Sequence, residues 1–102
     1  MAFIGPGASR IICRFNMSNQ NIAMSKNVSS ISHNETGRDT VNFSITMPNN
    51  NYGVGCSHGL NNVRGYTSYT NQSTTAIQMD CRNDGGSETN APQCNVFIWD
   101  DE

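Results

Sequence analysis

The sequence predicts an all-β fold, a small antiparallel β-sandwich of about eight short strands. Apolar residues recur with a period of two along most of the chain. Clusters of Gly, Pro, Asn and Ser interrupt that alternation at roughly 8–12-residue spacing, as in sandwiches and barrels. No window carries apolar residues at i, i+3, i+4 and i+7, so no amphipathic helix is expected.

Ile11–Met17 reads IICRFNM and places Cys13, Phe15 and Met17 on one face. Asn21–Ser25 reads NIAMS, with Ile22 and Met24 alternating, and Val28–His33 follows. Asp39–Ile45, DTVNFSI, is the cleanest case: Val41, Phe43 and Ile45 point inward, while Thr40, Asn42 and Ser44 face out. A slip of one residue would invert that burial, so the register is well specified. Asn51–Ser57, NYGVGCS, sets Tyr52, Val54 and Cys56 on one side. Val63–Thr70, Thr74–Arg82 and Gln93–Trp99 complete the set. Between them HNETGR (33–38) reads as a turn with Gly37 at positive φ, and Pro48-Asn49-Asn50 opens another. The longest loop is NDGGSETNAP, 83–92. Residues 1–10, MAFIGPGASR, lack alternation and read as an N-terminal arm, with a frayed terminus as the alternative; residues 11–102 form the sandwich domain. Phe3 and Ile4 are the arm's docking residues, ahead of a Gly5-Pro6-Gly7 bend.

The chain has 102 residues, one domain's worth. Hydrophobic residues make up 35% and charged residues 14%, so the core is thin and polar, uncharged side chains dominate. Thin cores are often supported by oligomerisation. A net charge of −2 and six dispersed basic residues argue against nucleic acid, because no basic stripe faces a phosphate backbone. No apolar run is long enough for a membrane helix, so no membrane insertion is expected. The first residues do not read as a secretory signal.

Cys13, Cys56, Cys81 and Cys94 are widely spaced, without a CxxC pair, so no zinc site is expected. Free thiols are the expectation in a reducing compartment, with a Cys81–Cys94 bridge as the alternative. No catalytic constellation is legible, so the chain reads as no enzyme, without cofactor or metal. His33-Asn34-Glu35 lacks the P-C-x-x-C partner of zinc deaminases and reads as a turn. His58 falls in an expected loop, and Asp80 and Asp84 do not form an acid pair. Ser-rich stretches contain no G-x-S-x-G. Arg64, Tyr66, Tyr69 and Trp99 are the candidate partner or receptor contacts, since aromatic faces beside polar neighbours suit sugars and proteins.

The run NVSSISHNETGRDTVNFSITMPNNNY, Asn27 to Tyr52, resembles a segment of bacteriophage virion proteins reading close to NVSSITDNGTGDYTVNF and then TTAMPDANY. The shared positions are Asn27 to Ile31, Asn34, Thr36-Gly37, Thr40 to Phe43, Met47-Pro48 and Asn51-Tyr52. CRFNMSNQNIAMSKN resembles the family's preceding hairpin, and AIQMDCRNDGGSETNAPQCNVFIW its last one. Residues 12–99 are covered. The resemblance implies a β-sandwich on a phage particle, probing the host surface from a tail fibre or fibre tip. It also implies a homo-oligomer, a trimer, made in the host cytoplasm and carried on the virion. Its expected partners are other virion proteins and a host-surface glycan or protein. A capsid decoration or cement protein is the alternative, because the segment stands here without a fibre shaft.

Overall fold

The computed structural model describes residues 9–59 and 65–100. They form eight strands: β1 (Ser9–Phe15), β2 (Ile22–Lys26), β3 (Val28–Glu35), β4 (Arg38–Phe43), β5 (Gly53–Gly59), β6 (Gly65–Thr70), β7 (Ala76–Asn83) and β8 (Gln93–Trp99). Two four-stranded sheets, β2-β1-β8-β5 and β3-β4-β7-β6, are antiparallel throughout. The protein is thus all-β, as its alternation requires. No helix occurs among the described residues, so none is long and apolar enough to cross a membrane.

The inner faces follow from the pleat. Ile11, Cys13 and Phe15 of β1 and Cys94, Val96 and Ile98 of β8 meet Val41 and Phe43 of β4 and Ile77, Met79 and Cys81 of β7. All are buried. Tyr52, just before β5, is held by donating its hydroxyl to the Ser73 carbonyl at 2.7 Å, with its ring edge-on to Phe43.

Asn27 carries the chain from one sheet to the other. Its φ of 59° is one that Asn tolerates better than most residues. Its amide donates to the Arg10 carbonyl at 2.9 Å, and its own carbonyl accepts from Ser44 N at 2.9 Å. Thr36 and Gly37 close the β3–β4 hairpin, Gly37 at φ 76°. Any Cβ on Gly37 would meet the Cys81 carbonyl and Thr89 N, because the 83–92 loop folds back over this turn. Asn90 Oδ1 accepts from Gly37 N at 2.8 Å.

Several expectations need correction. The turn at 33–38 is shorter than expected: β3 runs on through Glu35, so His33 is a strand residue. His58 lies in β5, not in a loop. Ile45 lies beyond β4 and is only half-buried against the core. Met17 is buried past the end of β1, its N–H donating to the Ala91 carbonyl at 3.0 Å. β1 takes in Ser9 and Arg10, which the arm was expected to contain. Phe3, Ile4 and Arg64 lie outside the described residues.

Candidate functional site

The two outer faces of the sandwich differ in character. On β3-β4-β7-β6 the outward positions are Ser30 and Ser32, then Arg38, Thr40 and Asn42, then Gln78, Asp80 and Arg82, then Tyr66, Ser68 and Thr70. Asn42 Nδ2 donates to Ser30 Oγ at 3.1 Å and Ser32 Oγ at 2.9 Å, and Thr40 Oγ1 donates to Asn34 Oδ1 at 2.7 Å. Arg38 meets Glu35 at 2.8 Å, Glu88 at 3.0 Å and Asp80 at 3.5 Å; Arg82 meets Asp80 at 3.5 Å and Glu88 at 3.7 Å. The polar groups of this face thus engage one another. Such short hydroxyl and amide side chains explain how the Asn27–Pro48 segment can be so polar and still a regular hairpin: they occupy the outward half of the pleat.

The outer face of β2-β1-β8-β5 is different. Phe97 and Trp99 project outward from β8, opposite Gly55 and Gly53 of β5. Their rings stack with centroids 5.6 Å apart and planes 26° apart. Each ring lies flat across the neighbouring glycine, so a Cβ at Gly53 would enter Trp99 and one at Gly55 would enter Phe97. Two small residues have cleared the strand for two large ones. Ile12 of β1 pairs with Phe97 on the same face, and Met24 of β2 pairs with Arg14. Phe97 remains 45% exposed and Met24 53%. Ile12, Met24 and Phe97 with Arg14, Ser57 and Asn95 line a hollow of ≈ 260 Å³. Polar groups cross one end of the face: Arg14 Nε donates to Asn95 Oδ1 at 2.8 Å, and Asn95 Nδ2 donates to Ser57 Oγ at 3.2 Å. A second hollow, ≈ 370 Å³, lies beside the end of β1, among Asn16, Asn19, Asn21, Ile22 and Gln93.

The expected contact residues do not share one surface. Tyr66 faces outward from β6 beside Arg82, whereas Tyr69 pairs with Met79 on the inner side and emerges at the sheet edge. Both are exposed, at 53% and 42%. Three residues apart on a strand, two side chains must take opposite faces. Trp99 belongs to the other sheet and is joined there by Phe97, Ile12 and Met24. The signal for this patch was available: NVFIW alternates two inward with two outward apolar residues, and Gly53 and Gly55 leave room beside the outward pair.

Two polar side chains make contacts that the sequence alone does not pair. Asp39 is fully buried; its Oδ1 lies 2.7 Å from His33 Nδ1, and Gln20 Nε2 donates to its Oδ2 at 3.3 Å. His58 Nδ1 makes a short hydrogen bond with Thr67 Oγ1 between the two sheets. Among the described residues no three His, Cys, Asp or Glu side chains converge to hold a metal ion. Burial raises the Cys13 thiol to about 11 and, chiefly by the same effect, the Tyr52 hydroxyl to about 12. Cys56 is likewise raised by burial.

The chain matches no family model, no curated protein and no solved structure.

Proposed function

We propose that this chain is a non-enzymatic structural protein of a phage virion, a tail-fibre or fibre-tip sandwich that works as a closed homo-oligomer, with a trimer as its form. The observation that carries the assembly reading is the apolar strip of Ile12, Met24, Phe97 and Trp99 on the outer face of β2-β1-β8-β5, flanked there by Arg14, Lys26, Ser57 and Asn95 and set against the polar, internally bonded face opposite. Contiguous exposed apolar surface on a small domain marks an interaction site. The virion assignment rests on the resemblance of residues 12–99, whose implied fold agrees with the eight-strand sandwich.

The trimer comes from the resemblance; a closed ring, in which each copy meets two neighbours, leaves no open end. The polar face, with Tyr66 at its edge, then points away from the axis, toward receptor or solvent.

Location on the particle is the test. Antibody raised against the purified chain and carried on gold should label the tail tip of intact virions. Label spread over the capsid would establish the decoration or cement reading instead. Particles that contain none of the chain would exclude both.

A further inference from the structure

We propose that Cys81 and Cys94 form an oxidisable inter-sheet pair, closed to a disulfide by a peroxide. Cys81 lies on β7 and Cys94 on β8, so the two thiols belong to different sheets and face each other across the core. Their sulfurs are 3.8 Å apart, and both residues are fully buried. A disulfide needs about 2.05 Å, so side-chain rotation and a small approach of the two strands must close the gap. The other two thiols serve differently: Cys56 Sγ contacts the Thr67 carbonyl at 3.6 Å, and Cys13 is buried on β1.

The surroundings divide the work between the two sulfurs. Thr67 Oγ1 is 3.7 Å from Cys81 Sγ and is itself bonded to His58 Nδ1. The sulfur–sulfur hydrogen bond with Cys94, and then the one with Thr67 Oγ1, lowers the Cys81 thiol. Its position beside Cys81, together with burial, raises Cys94 well above the ordinary thiol value. Cys81 is therefore the nucleophile and Cys94 the resolving thiol, still holding its proton. Thr67 and His58 are only half-buried and lie on β6 and β5, both edge strands. That edge is the route for an oxidant the size of water.

The chemistry balances with hydrogen peroxide. The Cys81 thiolate attacks one peroxide oxygen, the O–O bond breaks, and the departing hydroxide takes up the proton that Cys81 released. Cys81 is then a sulfenic acid. The Cys94 sulfur attacks it, the S–O bond breaks, and the oxygen leaves as water with the Cys94 proton. Two thiols have lost two electrons and two protons, and one peroxide has become two waters. The reduced chain folds first; oxidation afterwards ties β7 to β8 and hence one sheet to the other.

The test uses the folded, reduced wild-type chain. It is exposed to hydrogen peroxide, quenched with catalase, denatured and labelled with a maleimide. Reactive thiols should fall from four to two, with the loss of two hydrogens from the intact mass. Trypsin should release the peptide ending at Arg82 joined to the one beginning at Asn83. The melting temperature should rise by on the order of 10 °C. A Cys13→Ala, Cys56→Ala double variant should form the same bridge, and Cys81→Ala should keep all its remaining thiols. Four reactive thiols after exposure would overturn the proposal. So would a bridge through Cys13 or Cys56, disulfide-linked dimers, or oxidation that ends in sulfinic acid.

Discussion

Asp39 shows what a single residue adds to a hydrophobic pattern. The alternation that buries Val41 and Phe43 places Asp39 on the same face. A buried carboxylate without partners would strongly oppose folding. It is tolerated here because His33, directly across the hairpin, and Gln20 both reach it. Asp39→Ala leaves those two without their acceptor and should cost about 1–3 kcal/mol in urea unfolding. An unchanged midpoint would mean that the triad contributes nothing. Inward placement of Asp39 was legible in the sequence. Its partners were not, since Gln20 arrives from a separate turn and His33 only through the β3–β4 register. Cys13 and Tyr52 add a pH dependence. Both hold their protons more tightly folded than unfolded, with values of about 11 and 12 against ordinary 9.0 and 10.0. Their contribution is complete below pH 9 and is lost as pH rises from there through about 11 for the thiol and 12 for the hydroxyl. Melting temperature should therefore fall between pH 9 and 11, and Cys13→Ala should make that fall shallower. A Cys13→Ala profile parallel to that of the wild type would contradict the assignment.

At the scale of elements, the strands were legible wherever one face met the core. β4 alternates strictly and buries the expected Val41 and Phe43, while the expected Ile45 falls beyond it; β7 and β8 lie where strands are expected at 74–82 and 93–99, and alternate likewise. β2 shows why alternation alone is ambiguous. Ile22 and Met24 alternate like core residues, yet all five residues of β2 are exposed. It is an edge strand, and an apolar face turned outward has the same period as one turned inward. β5 was read correctly for its Tyr52–Val54–Cys56 side. The meaning of its glycines was hidden, because Phe97 and Trp99 come from far along the chain to lie over them. Gly55→Ala should push the Phe97 ring off the strand and cost about 1–3 kcal/mol, the usual range for overpacking. Gly59→Ala, where an added Cβ meets nothing within 4 Å, should be close to neutral. Equal effects at the two positions would contradict the ring-over-glycine arrangement.

The whole molecule is a sandwich with unlike sides. One side engages its hydroxyls, amides and charges with one another; the other carries Phe97 and Met24 exposed, with Trp99 and Ile12 half-buried beside them. Composition alone hinted at oligomerisation through a thin core, but it could not say which surface would serve. That required knowing that β8 lies between β1 and β5 and turns its two aromatic rings outward. In the proposed assembly this face joins copies of the chain. Light scattering on a size-exclusion column measures it most directly, at tens of micromolar protein, for the wild-type chain and for Phe97→Glu. The wild type should show a mass three times the 11.2 kDa of one chain, and Phe97→Glu a folded monomer. A wild-type chain that elutes at the monomer mass, or a Phe97→Glu variant that keeps the oligomer intact, would contradict it.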